Sequence, residues 1–169
     1  MKEKGDFHVD MSGRIYEGRT VGVVIVGTDS GINYGCAIKS NLIKFVKKHL
    51  FEENIYNDAA KLYGIIISLL IQTIEEKIKT LIVCNDEDFK IVKETIEKLI
   101  ENKKIEIINI GEFRKRFGRN IGSLADNYSR IYRRRALKKN RQIKGRRLNI
   151  VEINFNLIKQ KWEKIKRCK

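Results

Sequence analysis

The sequence predicts an α/β fold with a five-stranded mixed sheet, an antiparallel meander of three strands followed by two parallel strands, flanked by helices. Three observations predict it. Residues 7–39 hold β-branched or alternating segments separated by turn residues. Residues 57–110 alternate helical apolar periods with short buried-type strands, the pattern of parallel pairing with helical crossovers. The length, 169 residues, suits one such domain with an appendage.

Phe7–Tyr16 reads as the first strand, with His8 and Asp10 on one face and Phe7, Val9 and Met11 on the other. Glu17-Gly18-Arg19 turns the chain into Thr20–Val26, a strongly β-branched strand. Gly27-Thr28-Asp29-Ser30-Gly31 has the composition of a hairpin loop, and Asn33–Lys39 returns as the third strand. Asn41–Leu50 fits a helix face through Leu42, Phe45, Val46 and Leu50, or extends the third strand. Asn57 or Asp58 caps a helix running to about Lys77, whose Leu62, Ile65, Ile66, Leu69, Leu70 and Ile74 form a wide apolar stripe. Thr80–Cys84 is a short buried strand. Asn85 or Asp86 caps the next helix, marked by Phe89, Val92, Ile96, Leu99 and Ile100, and Ile105–Ile110 is the fifth strand. Residues 111–122 read as a basic connection, and Leu124 to about Asn140 as a helix. Arg141–Arg147 is a basic loop, Leu148–Ile153 a candidate strand, and Asn154–Arg167 an amphipathic helix carrying Trp162. The expected organisation is a domain over 1–140 and a basic extension over 141–169.

The formal net charge of +15 is segregated. Residues 1–110 hold 16 Lys and Arg against 17 Asp and Glu, whereas residues 111–169 hold 20 against 4. A generally charged surface would spread both signs. A block this basic points to a phosphate-bearing partner. Cys36, Cys84 and Cys168 form no CxxC pair, which argues against a disulfide framework or a zinc site and for a reducing, cytoplasmic compartment. Cys36 and Cys84 read as small core residues. Met1–Asp6 shows no apolar signal region, and the longest apolar run, Gly64–Ile71, is too short to span a bilayer, so no membrane association is expected.

Four aspartates stand at places that suit a metal site. Asp10 lies within the first strand, Asp86 ends the fourth, Asp126 opens a helix, and Asp58 opens the long apolar helix. A carboxylate beside a core strand is costly unless it is hydrogen-bonded, paired or bound to a cation. Each has a plainer role available. Asp86 and Asp58 suit helix capping, Asp126 a first helical turn, and Asp10 a pairing with Arg14 or His8.

The order of elements resembles the ribonuclease H-like superfamily, and three motifs carry the resemblance. Val9-Asp10-Met11-Ser12-Gly13 is similar to that family's first-strand aspartate with its small polar or glycine step. Val83-Cys84-Asn85-Asp86-Glu87 is similar to the aspartate that ends its fourth strand. Leu124-Ala125-Asp126-Asn127-Tyr128 is similar to the Ala-Asp that opens its last helix. The resemblance covers residues 6–138. It implies Asp10, Asp86 and Asp126 as ligands of two Mg2+ or Mn2+ ions, with Asp10 bridging, and Asp58 as an auxiliary catalytic carboxylate. Two such ions about 4 Å apart activate a water and stabilise the leaving oxygen in phosphodiester hydrolysis. The chain departs from the family where the first long helix carries a glutamate, a position that falls on Lys61, and no histidine precedes the last helix.

The basic segment surrounds Asp126. Arg114, Arg116, Arg119, Arg130, Arg133, Arg134 and Lys138 are candidate phosphate contacts, and Tyr128 and Tyr132 are candidates for stacking on a base or for core packing. The reading that follows is a divalent-metal-dependent nuclease acting on RNA, DNA or a hybrid. The alternative is a non-catalytic module of the same fold that binds nucleic acid through its basic C-terminal third. The actin-like phosphotransferases need two such domains and glycine-rich phosphate loops, which ranks that reading last.

Overall fold

The computed structural model describes residues 4–118, 123–137 and 147–168. The elements in chain order are β1 (Lys4–Ser12), β2 (Val21–Gly27), β3 (Asn33–Ile38), α1 (Ser40–Leu50), α2 (Ile55–Ile71), β4 (Lys77–Val83), α3 (Phe89–Leu99), β5 (Glu106–Asn109), α4 (Ile110–Phe117), α5 (Ser123–Leu137), β6 (Asn149–Ile150) and α6 (Phe155–Arg167). They build one mixed sheet in the order β5-β4-β1-β2-β3-β6. The meander β1-β2-β3 is antiparallel, and β4 and β5 add in parallel on the other side of β1.

The sheet has six strands where the sequence predicted five. The sixth, β6, pairs in parallel with β3 at Tyr34 and Gly35. Val151 donates its N–H to the Gly35 carbonyl at 2.8 Å, and Asn149 Nδ2 donates to the Asn33 carbonyl at 2.8 Å. These bonds occupy backbone groups that an edge strand otherwise leaves open.

Residues alternate across the strands, so the two faces carry different layers. Phe7, Val9 and Met11 of β1 and Val21, Val23 and Ile25 of β2 join the large core made with α1, α2, α3 and α6. Ile158, Trp162 and Ile165 of α6 belong to that same core, where Trp162 stacks on Phe51. The opposite face is covered by α5, through Ala125 and Tyr132 on Val24 and Val26, and by α4, through Phe113 on Ile82 and Ile108. His8 and Asp10 sit across from Val26 and Val24, on this second face.

Two glycines set how closely α5 lies. A Cβ on Gly22 would stand 2.2 Å from the Ser129 carbonyl oxygen, and one on Gly35 would stand 2.6 Å from the Tyr132 ring. Only a bare backbone at these points admits the helix.

Several boundaries differ from expectation. The first strand stops at Ser12, because Gly13 takes φ 92° and turns the chain. Asn54, not Asn57 or Asp58, caps α2 by accepting from the Tyr56 N–H. That helix ends at Ile71, since Lys77 and Ile78 pair with Lys4 and Gly5 as the start of β4. Asp88, not Asn85 or Asp86, caps α3 by accepting from the Ile91 N–H. The connection predicted over 111–122 contains α4, capped by Asn109. No helix among the described residues is long and apolar enough to cross a membrane.

Candidate metal centre and basic face

The parallel register of β1 and β4 sets Val83 beside Val9, and the Cys84 N–H donates to the Val9 carbonyl at 3.2 Å. The carboxyl ends of both strands therefore finish at one edge of the site, the customary place for a ligand in such sheets. Asp10 and the turn after β4 meet there. Asp10, Cys84 and Asp86 each offer a ligand atom, and these atoms lie within 4.8 Å of one another. Capping of α3 by Asp88 leaves the Asp86 carboxylate free for this cluster.

Hydrogen bonds orient the group. Cys84 Sγ donates to Asp86 Oδ2 at 2.8 Å, and the hydroxyl of Tyr63 on α2 lies 3.2 Å from the same sulfur. A thiol has one proton, so Tyr63 donates to Sγ. From the helix side, Ser129 Oγ is 3.3 Å from Asp10 Oδ2 and 2.9 Å from the Asp126 carbonyl, one hydroxyl shared between two acceptors.

The electrostatics are those of crowded acids. Burial above all, with the charges of Asp86 and Asp126, raises the Asp10 carboxyl to about 6 against the downward pull of the Cys84 thiol and the Met11 backbone. Glu87 is pushed up to about 7 by burial and by Asp86, against the pull of Arg14. Burial and the nearby acids hold Cys84 and Tyr63 well above their ordinary ranges. His8, two residues before Asp10, is pushed down to about 4 by burial and by the Arg114 charge.

No family model, curated protein or solved structure matches the chain.

Asp126 reaches the same region but stands outside the three-residue group, and its carboxylate pairs with Arg130 at 3.1 Å. Asp58 does not join. Its carboxylate is buried, accepts the N–H groups of Glu52 and Glu53 at 2.8 Å each, and pairs with Lys61 at 3.3 Å. Both Asp58 and Lys61 line a cavity of about 780 Å³ with Glu94 and Trp162, between α2, α3 and α6. The α2 residue that reaches the site is Tyr63. Its apolar ring hid it among the core positions, as did the strand-like surroundings of Cys84. Ser129 was visible only as a small residue one helical turn after Asp126.

The cationic residues divide. Arg116 is engaged by Glu106 and Glu112 at 2.5 and 2.6 Å. Arg133 Nε donates to the Thr20 carbonyl at 2.8 Å and ties α5 to the start of β2. Arg114, Arg130 and Arg134 are exposed on α4 and α5. Arg119 and Lys138 lie outside the described residues.

Asp10, Cys84 and Asp86 form a group able to hold a metal ion, a buried and a half-buried carboxylate from separate elements beside a buried thiol. The Cys84 thiol is the unusual member, a soft donor beside hard ones.

Proposed function

We propose that the chain is a divalent-metal-dependent nuclease of the ribonuclease H-like superfamily that hydrolyses phosphodiester bonds in nucleic acid. One observation carries the reading: Asp10 and Asp86, 76 positions apart, bring ligand atoms within 4.8 Å of each other, with Asp126 close enough to raise the Asp10 pKa. The strand order, with β1 central between an antiparallel meander and a parallel pair, supports the superfamily likeness.

Bound Mg2+ or Mn2+ would supply water activation and charge neutralisation at the leaving oxygen. The chain's own residues do the rest. Asp10 and Asp86 would hold the cation, and Asp126 and Glu87 would be the carboxylates nearest to a second one. Ser129 orients Asp10, and the Tyr63–Cys84 pair orients Asp86. Arg114, Arg130 and Arg134 present guanidinium groups for phosphate contacts that are indifferent to sequence. The charges of Arg114, which acts on His8, and Arg14, which acts on Glu87, offset part of the repulsion between the carboxylates and an approaching phosphate.

A second reading keeps nucleic-acid binding without catalysis. Its support is that two carboxylates already have partners, Asp126 in Arg130 and Asp86 in Cys84. One experiment separates the two. Asp10→Asn is expected to abolish Mn2+-dependent cleavage of labelled single strands and hybrids while retaining binding, and calorimetry should show Mn2+ binding lost. Cleavage at the full rate in that variant overturns the nuclease. Absence of cleavage in the wild type, with steeply salt-dependent binding, selects the non-catalytic module.

A further inference from the structure

A second cavity, of about 490 Å³, opens on the flank of α5 beyond the carboxylates, lined among others by Ser30, Asn33, Tyr34, Glu76, Tyr128 and Arg147. It has a fixed floor. Asn33 is buried and fully engaged: its Nδ2 donates to the Arg147 carbonyl at 2.9 Å, its Oδ1 accepts from the Tyr132 hydroxyl at 2.7 Å, and its carbonyl accepts from Asn149 Nδ2 at 2.8 Å. One wall is fixed as well, where the Tyr34 hydroxyl donates to Glu76 Oε2 at 2.8 Å. A pocket of this size with a rigid lining and a few converging polar groups has the character of a ligand site.

Its chemistry is selective. Glu75 and Glu76 line it, so a phosphate is repelled from the interior. The same carboxylates suit the N–H groups on the edge of a nucleobase. Tyr128, partly buried against the Val24–Val26 cluster, brings an aromatic ring to the lining, and Arg147 adds a cation. Ser129 of α5 turns toward Asp10, while Tyr128 of the same helix lines the cavity, so one helix separates the two places. A helix is about 10–12 Å across, roughly three stacked nucleotides at 3.4 Å each. Exposed Arg130 and Arg134 lie on the same helix.

We propose that this cavity receives an unpaired base of the strand whose phosphates lie on α5, which makes the substrate single-stranded nucleic acid. The inference rests on the nucleic-acid reading above and adds the substrate class to it. A base held in a duplex is stacked and paired, and entering the cavity would require flipping it out. A single strand enters without that cost.

The test uses the full chain without divalent metal, so that nothing is cut. A short single-stranded oligonucleotide carrying 2-aminopurine, as DNA and with an RNA counterpart, is compared with the same sequence as a blunt duplex at one salt concentration. The expected result is tighter binding of the single strand, by about tenfold or more, with a change in 2-aminopurine fluorescence at one register. Tyr128→Leu should weaken single-strand binding by about tenfold and leave duplex binding unchanged. Ile32→Trp fills the cavity from an exposed position and should do the same without touching the core, so the test survives if the Tyr128 variant misfolds. Equal affinity for both forms, unaltered by either variant, overturns the base site and leaves phosphate binding standing. No salt-dependent binding of any nucleic acid overturns both this inference and the function it rests on.

Discussion

Ser129 and Asp10 stand 119 positions apart in the chain and share a hydrogen bond of 3.3 Å. That contact joins α5 to the middle of the sheet and brings Asp126 near the cluster of Asp10, Cys84 and Asp86. It exists because β2 carries a glycine beneath the helix. Four expected outcomes follow from this arrangement and its neighbours.

Gly22→Ala tests the approach of α5. The added Cβ would stand 2.2 Å from the Ser129 carbonyl oxygen and 2.6 Å from the Arg133 nitrogen, both backbone atoms that move only with the helix. Chemical denaturation should show a loss of about 2 kcal/mol or more. The Mn2+ affinity of the folded protein should fall as well, because Ser129 and Asp126 retreat with the helix. Gly5→Ala is the control, since its nearest neighbour is the Phe7 ring at 3.5 Å.

The pH dependence of stability has two opposing sources on β1. Asp10 rises from 3.8 to about 6, so the folded chain keeps a proton that the unfolded chain releases, and stability falls as pH rises from about 4 to 6. His8 drops from 6.5 to about 4, so the unfolded chain takes up a proton that the buried imidazole refuses, and stability falls as pH drops from 6.5 toward 4. Glu87, raised from 4.5 to about 7, adds a slope of the same sign as Asp10, and together they oppose the histidine. Asp10→Asn should shift the balance toward the histidine, so that the variant loses more stability than the wild type as pH drops from 6.5 toward 4, and His8→Phe should shift it the opposite way. Melting temperatures across pH 4–7 read both, and parallel profiles for all three proteins would refute the assignment.

Asp58→Ala separates a structural carboxylate from the metal cluster. The change strands the N–H groups of Glu52 and Glu53 and frees Lys61 from a buried partner. Stability should drop by about 3 kcal/mol. The Mn2+ isotherm should stay as in the wild type, and a lost isotherm in a folded variant would return Asp58 to the site.

Cys84→Ser asks what the sulfur does. The serine keeps a proton for Asp86 and removes the only soft donor of the group. Mg2+ and Mn2+ affinities should be retained, while Cd2+ affinity should fall by about tenfold. Unchanged Cd2+ binding would show that sulfur is no ligand and acts only by orienting Asp86.

The two faces of β1 were legible because the strand period is local. Phe7, Val9 and Met11 against His8 and Asp10 is a pattern of alternate residues, and the structure keeps it. The same locality misled at the helix starts. Asn85-Asp86-Glu87-Asp88 offers several caps, and in the folded chain Asp88 takes the Ile91 N–H while Asp86 accepts from Cys84. Asp58 was read by its place on a helix, yet its carboxylate is spent on the loop before α2. Cys84 and Tyr63 have the look of core residues, and they are buried. What makes them part of the site is one sulfur–oxygen distance between α2 and the end of β4.

The sequence by itself determined the α/β class, the three-strand meander, the basic C-terminal third and the candidacy of Asp10 and Asp86, because apolar periods, turn chemistry and charge are properties of neighbouring residues. Only the tertiary structure decided which acids meet, which are consumed by caps, and that β6 closes the edge of β3. Those outcomes depend on strand register and on how closely α5 can lie over Gly22 and Gly35, distances set by packing between elements far apart in the chain.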